Sequence, residues 1–81
     1  MSVQVIVKHD DRVWDAIRHD ERMALYQVGI YMEKDDDLAT FIIGRGIADR
    51  ISQNKSIETV KEWLTSRGYE VTVKPLNQEG K

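Results

Sequence analysis

An 81-residue chain with 41% hydrophobic and 32% charged residues has material for one domain and one core layer, near the lower end of what folds without covalent staples. It contains no cysteine, which excludes disulfides, thiolate nucleophiles and thiolate metal sites. A net charge of -2 argues against bulk attraction to nucleic acid or anionic lipid.

In chain order, Val3, Val5 and Val7 alternate with Gln4, Ile6 and Lys8, the pattern of a strand with its valines toward a core. Asp10 or Asp11 then offers a helix cap. Val13, Trp14 and Ile17 give the short helix that would follow one apolar stripe, ending in the polar stretch His19–Arg22. Met23–Glu33 reads as a second strand, with Ala24, Tyr26, Val28, Ile30 and Met32 on one face and a composition that favours β structure. The acidic run Asp35–Asp37 becomes a hairpin loop into a third strand over Leu38–Gly44. Beyond Gly44-Arg45-Gly46 lies a connection with a helical turn around Ile47–Ile51. Ser56 caps a helix whose Ile57, Val60 and Leu64 line one face, and Gly68 closes it with a left-handed backbone. Tyr69, Val71 and Val73 alternate with Glu70, Thr72 and Lys74 in a last strand that Pro75 stops. The expected organisation is a single domain over residues 1–76 with a flexible polar tail, Asn77–Lys81.

The order strand, helix, strand, strand, helix, strand predicts an α+β fold of the βαββαβ, ferredoxin-like type. That is a two-layer sandwich with two helices on one face of a four-stranded antiparallel sheet. If Met23–Glu33 is helical instead, the chain becomes a βαβαβ, three-layer α/β arrangement with a parallel core. In that layout the helix followed by Phe41-Ile42-Ile43-Gly44 resembles the small sulfur-relay proteins of the DsrE type over roughly half the chain. The resemblance implies persulfide transfer, but the cysteine such proteins use for it is missing.

Two near-copies, His9-Asp10-Asp11-Arg12 and His19-Asp20-Glu21-Arg22, have the composition of zinc, manganese or iron sites. Flanking one helix, their histidines would stand roughly 15 Å apart at about 1.5 Å rise per residue, too far to share an ion. No metal and no cofactor is therefore expected. The serines lie in terminal, loop or capping contexts without an elbow motif, so no enzyme is expected either. Gly44, Arg45 and Gly46, with Arg50 and Lys55 nearby, form an anion-binding candidate for a phosphate or a nucleic-acid backbone, although their spacing matches no phosphate-loop fingerprint. RNA-recognition modules share the predicted strand order, but the first strand here carries no aromatic platform.

The open face of the predicted sheet is the principal candidate. Ile6 and Ile42 fall near its centre, with Tyr31 and Leu25 on the same side and Gln4, Lys8, Thr40 and Glu70 around them. An apolar centre with a polar rim has the make-up of an interface. Trp14 and Trp63, each beside a helical stripe, are expected to pack on the sheet or against each other. The functional expectation is a small non-enzymatic binding module acting through protein–protein contact. Its partner is a second copy in a homodimer or another protein, an inhibitor of a larger enzyme being one such form. In that form Asp35–Asp37 would imitate a phosphate backbone. With no long apolar run and no charged-then-apolar leader, a cytoplasmic location away from membranes is expected.

Overall fold

The computed structural model describes residues 2–76, arranged as β1 (Ser2–His9), β2 (Arg12–Arg18), α1 (Glu21–Glu33), α2 (Leu38–Ser52), α3 (Ile57–Ser66) and β3 (Glu70–Leu76). The tail expected over Asn77–Lys81 lies outside the described residues. The fold is a small α+β domain whose one sheet has three strands in the order β2-β1-β3, both pairings antiparallel. The predicted ferredoxin-like fold is corrected on strand number, and the parallel βαβαβ alternative on strand direction.

Three segments account for the difference. The helix predicted over Val13–Ile17 is the strand β2, joined to β1 by the two-residue loop Asp10-Asp11 between the paired His9 and Arg12. Acids that can cap a helix can equally turn a hairpin, and Asp10 adopts the left-handed φ of 55° that aspartate tolerates better than most residues. Met23–Glu33 and Leu38–Gly44, predicted as strands, lie in α1 and α2. Each helix starts at an aspartate whose carboxylate accepts a backbone N–H three residues on: Asp20 from Met23 at 2.8 Å, and Asp37 from Thr40 at 3.0 Å. Ala24, Leu25, Val28 and Met32 then share a buried face of α1, as Thr40, Ile43, Ile47 and Ala48 do on α2. Burial of those faces outweighs the strand propensity of Tyr, Val and Ile. The expected Gly44-Arg45-Gly46 turn is the middle of α2.

The remaining elements follow the sequence expectation. Ser56 accepts the Thr59 N–H at 3.1 Å, and Val60 and Leu64 are buried. Gly68, at φ 87°, ends α3: its N–H reaches the Thr65 carbonyl at 3.0 Å while that of Tyr69 reaches Leu64 at 3.1 Å. Asn54, at φ 68°, closes α2 in the same manner.

In a two-residue hairpin the closing pair exchanges both ladder bonds. Odd-numbered residues of β1 therefore bond toward β2 and even-numbered ones toward β3. On β3 this turns Val71, Val73 and Pro75 to the outer edge, where the missing proline N–H leaves no bond unmade. The strand consequently runs through Pro75 to Leu76 instead of stopping there.

Val5 and Val7 of β1 and Ala16 of β2 face the helices and meet Leu25, Val28, Met32, Ile47, Val60 and Leu64 in one core. α1 lies over β1 and β2, α3 contacts β3, and α2 packs on α1 and α3. The other sheet face carries Gln4, Ile6, Lys8, Val13, Asp15, Ile17, Glu70, Thr72 and Lys74, and no helix among the described residues lies over it. Among the described residues, no helix is long and apolar enough to cross a membrane.

Candidate functional site

The residue types that suggested chemistry are engaged in holding the fold. Arg12 forms an ion pair with Asp35, donates to Thr40 Oγ1 at 3.1 Å and lies 3.9 Å from the Asp37 carboxylate. Arg22 donates to the carbonyls of Lys55 at 2.7 Å and Ile51 at 2.9 Å, and to Asn54 Oδ1 at 3.3 Å. The arginines of the two near-copies thus hold opposite ends of α2. Arg22 sits at the C-terminal end, where the helix dipole favours a cation. Asp20 caps α1, and Glu21 pairs with Lys61 of α3 at 3.0 Å. His9 stacks on Tyr69 with ring centroids 4.3 Å apart, its Nδ1 3.2 Å from the Gly68 carbonyl oxygen. Among the described residues, no three His, Asp or Glu side chains come together as a metal site.

This network shifts the titration of Asp37. The Thr40 N–H and hydroxyl, and secondarily the Arg12 guanidinium, hold its carboxyl below the ordinary aspartate value. A depressed folded-state pKa contributes stability that is present above the unfolded-state value and lost as pH falls through the folded-state one. Asp37→Asn keeps a capping oxygen but cannot titrate there. Thermal melts followed by circular dichroism should therefore fall less steeply with acid below about pH 4 in this variant than in the wild type. Parallel acid profiles would remove Asp37 from the account. Tyr69 moves the other way: burial raises its phenol above the ordinary value.

The five anion candidates lie along α2 and its exit and do not surround a point. Gly44 is buried where α2 crosses α1, and Gly46 lies beneath the Trp63 ring. Arg45 is exposed, 3.7 Å from Asp49 one turn on. Arg50 lies over Trp63, 4.0 Å from the ring centroid, and donates to the Gly46 carbonyl at 3.2 Å. Lys55 donates its N–H to the Arg50 carbonyl, and its own carbonyl accepts from Arg22. Amides in mid-helix already bond to their own helix, so no backbone donors converge here as they would in a glycine-rich turn. Trp63 packs against α2, as Arg50 and Gly46 show, whereas Trp14 stands on β2 with Arg12 4.9 Å from its ring.

The exposed apolar residues are unevenly placed. Of eight large ones among the described residues, Val13 and Ile17 lie on the open sheet face, while Met23, Tyr26 and Tyr31 of α1 and Leu38, Phe41 and Ile42 of α2 make six on the helical hairpin. Leu38 is 69% exposed, Ile42 55% and Met23 51%. Met23, Tyr26 and half-buried Ile30 recur at helical spacing on the side of α1 opposite its core face. Leu38, Phe41 and Ile42 do the same over the first turn of α2. The helices approach most closely at Gly29 and Gly44, so that the first turn of α2, with Leu38, Phe41 and Ile42, is level with the C-terminal part of α1 that carries Tyr31.

Of the four residues predicted to share an interface, Tyr31 and Ile42 belong to this hairpin. Ile6 is half-buried on the open sheet face as expected, and Leu25, 1% exposed, lies in the core. They do not form one face, because their common surface required Met23–Glu33 and Leu38–Gly44 to be strands. Leu38, Phe41, Met23 and Tyr26 were not anticipated as surface residues. The signal for them is an aspartate cap ahead of a segment with apolar residues on every side, since a helix can bury only part of such a segment. No protein-family model, curated protein or solved structure matches the chain.

Proposed function

We propose that the protein is a non-enzymatic binding module whose contact surface is the outer face of the α1–α2 hairpin. The observation that carries this reading is that, among the described residues, six of the eight exposed large apolar side chains belong to α1 and α2. A helix that only meets water presents polar residues outward, whereas Leu38, Phe41 and Ile42 occupy that side of α2. Around them stand Glu33, Lys34, Arg45 and Asp49, a charged margin of the kind that borders protein interfaces.

The test compares Ile42→Asp with Ile17→Asp on the open sheet face. Both side chains are about half exposed, so circular dichroism is used to confirm that each variant is folded. Association is measured by sedimentation and by capture from native lysate with and without nuclease. Ile42→Asp is expected to abolish it and Ile17→Asp to preserve it. The reverse pattern would move the contact to the sheet. Binding that nuclease removes and neither variant alters would instead favour a nucleic-acid backbone.

A further inference from the structure

We infer that Arg50 and Arg67, gathered on the Trp63 ring, form a binding site for a phosphate group, free or carried on an ester. The site joins the C-terminal ends of α2 and α3 and lies about three turns along α2 from Leu38. It goes beyond the hairpin surface and does not depend on it.

Trp63 is the residue that brings the two arginines together. Gly46 has no side chain, so the outer end of the ring lies against α2. Arg50, one turn further along α2, places its guanidinium carbon 4.0 Å from the ring centroid. Arg67, one turn beyond Trp63, places its own 4.8 Å from the same centroid. The two cations are therefore no more than about 9 Å apart, near enough to repel at moderate ionic strength. The ring attracts each of them but does not offset their repulsion. A bound anion does.

The protein supplies no such anion among the described residues. Arg12 and Arg45 have carboxylate partners, whereas Arg50 and Arg67 have none. Glu62, next to Trp63 in the chain, is exposed and pairs with neither. Arg50 donates to the Gly46 carbonyl at 3.2 Å, and Arg67 to Ser66 Oγ at 3.3 Å. A guanidinium carries five N–H donors, so most of those on both side chains remain open. Phosphate suits this arrangement because its oxygens point in several directions. Accepting from two forks at roughly 2.8 Å, one phosphate bridges a gap of this size, while a carboxylate is filled by a single fork.

Fluorescence of Trp63 reads the site directly once Trp14→Phe has removed the other indole. Inorganic phosphate and O-phosphoserine are titrated into the full chain, with potassium chloride at matched ionic strength as the reference. Both phosphates should give a saturable change that chloride does not, and the tighter of the two tells a free phosphate from an ester. Arg67→Gln should weaken binding about tenfold, because it removes charge-assisted donors. Arg67→Lys should weaken it less, since the charge stays and the fork is lost. Arg45→Gln, off the ring and paired with Asp49, should leave binding within about twofold. Arg67 is exposed and bonds only its neighbour Ser66, and circular dichroism confirms that its variants are folded. A fluorescence change that chloride reproduces overturns the site. Equal weakening by Arg45→Gln and Arg67→Gln also overturns it, as that is diffuse attraction to charge, and so does an Arg67→Gln variant that binds like the wild type. None of these results bears on Ile42→Asp, so the hairpin reading is tested apart.

Discussion

Gly44→Ala should destabilise the protein, although alanine is the better helix former by nearly 1 kcal/mol. A Cβ at this position would lie 2.6 Å from the Gly29 carbonyl oxygen and 2.7 Å from the Glu33 nitrogen and the Met32 Cβ. Two of those neighbours are backbone atoms and the third is fixed to the backbone, so none can rotate away. Relief requires α1 and α2 to move apart, loosening the contact of Ile47 with Gly29 and of Met32 with Gly44. Overpacking of this kind costs about 1–3 kcal/mol. At roughly 0.05–0.15 kcal/mol per residue, a chain of 81 residues has only about 4–12 kcal/mol in all. Each kcal/mol corresponds to about 4–8 °C in Tm at this size, so the loss is easily read by thermal circular dichroism. Gly46→Ala is the comparison. Its Cβ would meet the outer end of the Trp63 ring, a side chain that can shift, and a smaller loss is expected. A Tm raised by Gly44→Ala would mean that the helices are not held at this separation.

The same crowding explains why the middle of the chain misleads when read as sequence. β1, α3 and β3 are legible because in each the apolar residues keep one period and the ends are punctuated: Val5 and Val7 at every second position, Val60 and Leu64 one turn apart between Ser56 and Gly68. Between Met23 and Gly44 the apolar residues exceed what one face can bury. Met23, Tyr26 and Ile30 lie outside α1 while Ala24, Leu25, Val28 and Met32 lie inside, so a two-residue alternation fits as well as a helical face. The excess that obscures the secondary structure is also what makes the candidate surface. Asp20 and Asp37 were the deciding signals, each three residues ahead of the N–H it caps, but an aspartate in a polar stretch also suits a loop. Gly44 reads as a turn residue until a second helix is placed against it. The bonds from Arg12 to Thr40 and from Arg22 to Lys55 span 28 and 33 positions, a separation at which residue spacing carries no information.

Leu25→Ala should be strongly destabilising, and the same substitution at Leu38 supplies its measure. Leu25 is 1% exposed and lies in the cluster with Val5, Val28 and Met32, so removing its terminal carbons leaves a cavity as well as a lost transfer contribution. Such truncations cost about 2–5 kcal/mol, a large part of the stability of so small a chain. Leu38 is 69% exposed, and in a dilute monomer its truncation should be nearly silent. The two variants also separate burial within the fold from burial between copies. If the contact is made between copies, association stabilises the folded state by mass action and the wild-type Tm rises with protein concentration. Leu38→Ala should flatten that rise while matching the wild type at high dilution, whereas Leu25→Ala should lower the Tm at every concentration. If Leu38→Ala is silent even where the wild type is concentrated, no second copy covers Leu38. If it lowers the Tm only there, Leu38 is a core residue of the assembly in the sense that Leu25 is a core residue of the chain.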